Sequence, residues 1–171
     1  MKSQRPSSVP GETVLDCPER ELTRIVTAIV AEESPVHEDD VVTRVASFWD
    51  QRVGARIRER VQGAIAGAGA AGAISTRGAF LWADPSICAV RDRAGTGIGA
   101  ERIAPEEFDA AVLATLSPGT GVRRESVLAA ARAALGFERI GSTLSAALDA
   151  AIDRLVERGM IGEASDGYRR R

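Results

Sequence analysis

The sequence predicts a mainly α-helical fold with small β-hairpin wings, in which three helices and a hairpin occur in that order twice. Three observations lead there. Apolar residues recur at three- and four-residue steps along most of the 171-residue chain. A short apolar run broken by a tight glycine turn follows the third helical stretch, as a hairpin requires. The second half then repeats the apolar skeleton of the first at a nearly constant offset.

Residues 1–18 are rich in proline and serine and read as a flexible leader. Leu22, Ile25, Val26, Ile29 and Val30 then mark one face of a first helix. It ends at Glu33-Ser34-Pro35, because the residue before proline avoids helical angles. A second helix is expected over Glu38–Phe48, with Val41, Val42, Val45 and Phe48 inward. Asp39 and Asp40 suit its first turn, where the helix dipole favours anions. A third runs from Arg52 to about Gly67, with Val53, Ile57, Val61, Ala64, Ile65 and Ala68 as its apolar stripe. Ala73-Ile74-Ser75 and Ala79-Phe80-Leu81-Trp82, joined through Thr76-Arg77-Gly78, read as strand, turn, strand. These elements make a first module over residues 19–82. Residues 83–104 read as a connector, with a possible extra strand at Ile87–Arg91 and a glycine series at Gly95, Gly97 and Gly99.

Residues 105–171 form the second module. At an offset of 86, Leu22, Val26, Val30, Val36 and Val41 match Phe108, Val112, Leu116, Val122 and Val127. After one inserted residue near Phe137 the offset is 87, so that Arg52-Val53-Gly54 matches Arg139-Ile140-Gly141 and Ile57, Val61 and Ile65 match Leu144, Leu148 and Ile152. Gly72-Ala73-Ile74 matches Gly159-Met160-Ile161, and a second insertion aligns Phe80 with Tyr168. A unit of about 65 residues lies near the lower limit of independent folding. Three short helices followed by a hairpin is the layout of a winged helix, so the expected architecture is a tandem winged helix. In DNA-binding modules of this kind the third helix enters the major groove.

The segment from Ile25 to Ile65, with Phe80-Leu81-Trp82 and Ala89-Val90-Arg91-Asp92-Arg93, resembles a conserved bacterial domain of unknown function. That domain occurs at the C-terminus of large superfamily I helicase-like proteins, which often also carry a restriction-endonuclease-like segment. The matching motifs are Pro35-Val36-His37, Arg52-Val53-Gly54-Ala55-Arg56-Ile57, Phe80-Leu81-Trp82 and the stretch Ala134–Gly141, within roughly residues 22–162. The resemblance implies an accessory module of a nucleic-acid-processing machine. It supplies no catalytic residues, and the chain has no phosphate-binding GxxxxGK[ST] loop.

Composition narrows the classes further. There are 22 basic and 24 acidic residues, a formal charge of −2. A global basic excess is therefore absent, and any nucleic-acid contact must come from local concentration. No apolar run is long enough to span a membrane, and the first residues lack the apolar core of an export signal. A reduced, cytoplasmic setting without membrane contact is expected. Cys17 and Cys88 lack metal-ligand spacing. Cys17 reads as a leader thiol and Cys88 as a small buried hydrophobe. No metal or cofactor is expected.

The charge concentrates on the third helix of the first module. Arg52, Arg56, Arg58 and Arg60 stand against Glu59 alone, a local charge of +3. Arg44 on the second helix and Arg77 in the wing turn extend this surface. Arginine's planar fork suits phosphate or guanine. In the second module Arg139 and Thr143 hold the corresponding outward positions, together with Ser142, but Asp149 and Asp153 would repel phosphate. His37 with Glu38-Asp39-Asp40 reads as a helix cap, since consecutive acids fan apart at a helix start. Trp49, Phe80 and Trp82 read as core anchors in an aromatic-poor chain, and Gly54 and Gly141 as sites of close backbone approach or a special turn. The expected function is thus non-catalytic: a DNA-binding accessory module, with a helicase or nuclease protein as a further partner. The alternative is a protein-interaction or dimerisation module that does not touch DNA. No convergent nucleophile, base or metal set argues for an enzyme.

Overall fold

In the computed structural model, which describes residues 11–171, helices form where apolar residues recur at helical spacing. The chain divides into two compact units, one ending at Ile87 and the other running from Cys88 to Arg171. Both are helical with small antiparallel hairpins.

In the first unit, α1 (Glu19–Glu33) buries Leu22, Ile25, Val26, Ile29 and Val30, and Glu19 and Glu21 occupy the first turn. A short β1 (Val36–His37) leads into α2 (Glu38–Ser47), which buries Val41, Val42, Val45 and Ala46. Next, α3 (Ala55–Ala70) buries Ile57, Val61, Ala64, Ile65 and Ala68. It begins three residues after the expected Arg52, because Gly54 is extended and acts as the N-cap. It also runs through Gly67 and Gly69 to Ala70. Gly72, at φ +70°, then turns the chain out, and the Ala73 amide donates to the Ala68 carbonyl at 3.0 Å. Strands β2 (Ser75–Arg77) and β3 (Phe80–Trp82) pair antiparallel, and β1 adds to the far side of β3, giving the order β1-β3-β2. Val36 lies opposite Leu81.

In the second unit, a single 3-10 turn (Ala100–Arg102) precedes α4 (Pro105–Ala114), α5 (Arg124–Ala134) and α6 (Ser142–Glu157). The chain closes with β4 (Ile161–Ala164) and β5 (Gly167–Arg170), paired antiparallel. Phe108, Val112, Val127, Leu135, Leu144, Leu148, Ile152, Leu155 and Ile161 fill its core.

The repeat is closer than the sequence alignment implied. Both hairpins turn on two residues: Arg77 pairs with Phe80 across Gly78-Ala79, and Ala164 with Gly167 across Ser165-Asp166. Leu81, not Phe80, therefore corresponds to Tyr168, and the second insertion is unnecessary. The bridges agree, since Val36 pairs with Leu81 and Val122 with Tyr168. The ends of the helices correspond as well. Gly72 and Gly159 have φ of +70° and +68°, and Asp50 and Gly136, after α2 and α5, have φ of +53° and +79°.

Other expectations change. The leader does not extend to residue 18. Val14 and Cys17 are fully buried in the first core, so Cys17 is a core thiol; residues 1–10 of that leader lie outside the described residues. No strand forms at Ile87–Arg91, where Ile87 is 65% exposed. Residues 88–104 of the expected connector are instead part of the second unit: Arg93, Ala100 and Ile103 are buried, and the Arg93 amide donates to the Leu135 carbonyl at 3.1 Å. Cys88 is half-buried rather than buried.

Candidate nucleic-acid interface

The start of α3 differs from the starts of its neighbours. In α1, α2, α4 and α5 the first turn carries acids, which satisfy the positive end of the helix dipole. In α3 and α6 it carries none, and the N-caps Gly54 and Gly141 have no side chain to accept from the first amides. The leading amides of both helices are thus left for another acceptor. Neither glycine has a positive φ, and a Cβ on either would meet nothing within 4 Å. Their role is the open cap, not close approach or a special turn as expected.

The arginines of the first unit separate into two groups. Arg52 and Arg56 flank the open cap, both exposed, and neither forms an ion pair among the described residues. The others are engaged within the fold. Arg58 is ion-paired through Nη1 with the Asp39 carboxylate at the start of α2. Arg60 donates from Nη2 to the Cys17 carbonyl at 3.0 Å and lies 3.9 Å from the Glu19 carboxylate. Arg44 donates from Nε to Glu33 at 3.1 Å, tying α2 to the end of α1. Arg77 is exposed on the β2–β3 hairpin, with its guanidinium 5.3 Å from the centre of the Trp82 ring. Of the four arginines in the +3 window, two thus remain uncommitted among the described residues, with Glu59 also exposed on the same helix. The partners of the rest come from other elements, which local patterning does not display.

Residues 11–17 line one side of this region. The Trp49 indole donates to the Gly11 carbonyl at 3.1 Å, and the Val14 amide donates to the Gln51 side chain at 2.9 Å. Leu15 shares a shallow cleft with Arg56, Glu59, Arg60, Gly63 and Ala64. The N-terminal segment thus lies along α3 and meets the loop that carries Arg52. Burial pushes the Cys17 thiol up from its ordinary value, so it is an unreactive core group.

In the second unit Arg139, Ser142 and Thr143 are all exposed at the start of α6. Asp149, expected to repel phosphate, is paired with Arg124 at 2.6 Å. The β4–β5 turn carries Asp166, paired with Arg169 at 3.1 Å, and no counterpart of Arg77.

The remaining candidates resolve as structural. His37 caps α2, its Nδ1 accepting from the Asp39 amide at 3.2 Å, and its ring meets Phe80 edge-on. Trp82 is fully buried and Trp49 packs against the core. Gly95 and Gly97, at φ +70° and +72°, turn the loop before α4. Burial, with the Glu107 charge nearby, pushes Cys88 up to about 11. No group of three or more His, Cys, Asp or Glu among the described residues is placed to hold a metal ion, and no described helix is long and apolar enough to cross a membrane.

Sequence reasoning missed two clusters on α4. Glu107 is fully buried and receives Arg93 through two hydrogen bonds and Arg91 through a third, at 3.1 Å. Asp109 likewise holds Arg154 at 2.6 Å and Arg158 at 3.3 Å. The available signal was Glu107 itself, an acid four residues before the core residue Ala111 and so on the same face of the helix.

The model of one family, a protein of unknown function (DUF3320), matches residues 14–59. No curated protein and no solved structure matches the chain. The matched stretch begins at the buried Val14, covers α1 and α2, and ends one residue past Arg58. It therefore holds both the anchored N-terminal segment and the open start of α3, and over it the chain is similar to a domain of unknown function.

Proposed function

We propose that the protein is a non-catalytic nucleic-acid-binding module built from two winged-helix units, and that it contacts the phosphate backbone through the start of α3. The observation that carries this reading is the pair Arg52 and Arg56, exposed and without an ion pair among the described residues, beside an uncapped, acid-free helix start. Free amides, the helix dipole and two guanidinium groups converge there on one kind of ligand, an anionic oxygen. The exposed Arg77 on the wing supplies a further cation. The second unit offers a weaker version in Arg139, Ser142 and Thr143. The sequence resemblance to a domain of helicase- and nuclease-like proteins agrees with this role and makes such a machine the expected partner.

The test is residue-level mapping. Titration of the chain with a short duplex oligonucleotide, followed by amide NMR, is expected to shift residues 52–58 first, with smaller shifts in the wing at 76–79. Shifts confined to other surfaces, or none at low salt, would overturn the reading.

A second reading, a protein-interaction or dimerisation module, rests on the second unit. There Val156 and Met160, exposed at 39% and 40%, stand where the first unit has Gly69 and Ala73. It requires a concentration-dependent dimer or binding to a helicase-like protein, without nucleic-acid contact.

A further inference from the structure

The exposed face of α3 changes character one turn beyond Arg56. Counting about 100° per residue, Glu59 and Ala66 stand opposite the buried stripe of Ile57, Val61, Ala64 and Ala68. Ala55, Gln62, Gly63 and Ala70 lie beside them, and all six of these outward residues are exposed. Of the six, only Glu59 and Gln62 have side chains longer than a methyl group. Neither makes a side-chain hydrogen bond or ion pair among the described residues. Arg56 and Arg60 flank Glu59 in sequence, but Arg60 is turned to the Cys17 carbonyl.

A carboxylate is repelled by phosphate, so Glu59 fits a nucleic-acid interface only opposite a hydrogen-bond donor. The major groove of duplex DNA supplies donors on its base edges. Cytosine N4 suits a carboxylate, and adenine N6 with N7 suits a side-chain amide. The groove is about 12 Å wide and admits a helix. Ala55, Gly63, Ala66 and Ala70 keep the outward face of α3 low, so its backbone approaches the base edges closely enough for the two longer side chains to reach them. Three helical residues rise about 4.5 Å, close to the spacing of about 3.4 Å between base pairs. The second unit is the internal contrast. At the offset of 87, Glu59 and Gln62 correspond to Ala146 and Asp149, and the Asp149 carboxylate is held by Arg124 at 2.6 Å.

We propose that the first unit reads the sequence of duplex DNA, with Glu59 accepting from N4 of a cytosine and Gln62 bonding to N6 and N7 of an adenine at a neighbouring base pair. This rests on the nucleic-acid reading above. Arg52 and Arg56 position the helix on the backbone, and Glu59 and Gln62 specify the bases.

The experiment selects duplexes with a randomised central segment by binding to the full chain. Affinities for the selected and a scrambled duplex are then measured for the full chain, Glu59→Ala and Gln62→Ala. Selection is expected to enrich cytosine and adenine at neighbouring base pairs. Glu59→Ala should lose the cytosine preference and Gln62→Ala the adenine preference, each by about tenfold. The slope of log Kobs against log salt should stay the same in both variants, because neither side chain touches phosphate. A pool that yields no preferred sequence, from a chain whose binding weakens steeply with salt, would overturn base reading and leave the phosphate contacts of Arg52 and Arg56 intact. A preference that survives both substitutions would do the same, as would a Glu59→Ala variant that binds every duplex more tightly by an equal factor. A full chain that binds no duplex at low salt would overturn both readings.

Discussion

Arg93 grips Glu107 with both prongs of its guanidinium, Nη1 to Oε1 at 2.6 Å and Nη2 to Oε2 at 2.7 Å, around a carboxylate with no solvent exposure. The Arg91 amide donates to the same carboxylate at 2.8 Å. The pair fastens the loop before α4 onto that helix. Breaking a buried pair from one side leaves the other charge uncompensated, which costs about 3–5 kcal/mol. Glu107→Ala is expected to destabilise the second unit by that amount in urea unfolding. An exposed acid such as Glu157 is expected to tolerate the same change within about 0.5 kcal/mol.

Glu107 also sets an acid dependence. Burial pushes its pKa up, but the hydrogen bonds from Arg93 and the charges of Arg91 and Arg93 outweigh burial and hold it below the ordinary value of 4.5. A carboxyl group whose folded pKa is depressed stabilises the fold above its unfolded pKa. That contribution is lost as pH falls through the folded value. Stability against urea should therefore fall below pH 4.5, and Glu107→Gln should flatten this acid limb. An equally steep limb in the variant would assign the acid sensitivity to other carboxylates.

The repeat gives a paired test of backbone conformation. Asp50 and Gly136 occupy the same left-handed position after the second helix of each unit. A Cβ on Gly136 would lie 2.5 Å from the Ala94 amide nitrogen and 2.6 Å from that of Arg93. Gly136→Ala must then displace the loop that carries Arg93, and a loss of about 2–3 kcal/mol is expected from strain and overpacking. Asp50→Gly relieves an unfavourable φ and is expected to change stability by no more than about 1 kcal/mol. Thermal denaturation of the two variants checks both.

Arginines on the same helix should separate by role. Arg58, paired with Asp39, is a structural residue with both partners partly exposed, so Arg58→Gln is expected to cost no more than about 1 kcal/mol. The salt dependence of nucleic-acid binding should stay the same in that variant. Arg56→Gln should do the reverse, leaving the unfolding midpoint in place and weakening binding. A matched loss of binding in both variants would mean that Arg58 leaves Asp39 for the ligand.

How much of this was legible in the sequence depends on the range of the interaction. The stripes Leu22–Val30 and Ile57–Ala68 are periodic within a single helix, and the buried faces follow them. The repeat was legible because Val36 and Val122, or Ile57 and Leu144, keep the same apolar duty. It was misaligned by one residue at the hairpin because two aromatics, Phe80 and Tyr168, invited a match. Strand register is fixed by turn length, and both turns have two residues. The candidate site was only half legible. The third helix was found, but the four arginines on it looked alike. What separates Arg56 from Arg58 and Arg60 is a partner on another element, Asp39 or the Cys17 carbonyl. The same limit hid Glu107 and its two arginines, and let Val14 and Cys17 pass as leader.

The most direct measurement is the salt dependence of duplex binding by the intact chain and by Arg52→Gln/Arg56→Gln. Two lost phosphate contacts should flatten the slope of log Kobs against log salt by about 1.8, with unfolding unchanged because neither side chain forms an ion pair among the described residues. Equal affinity and equal slope in the two proteins would contradict a phosphate-binding role for the start of α3.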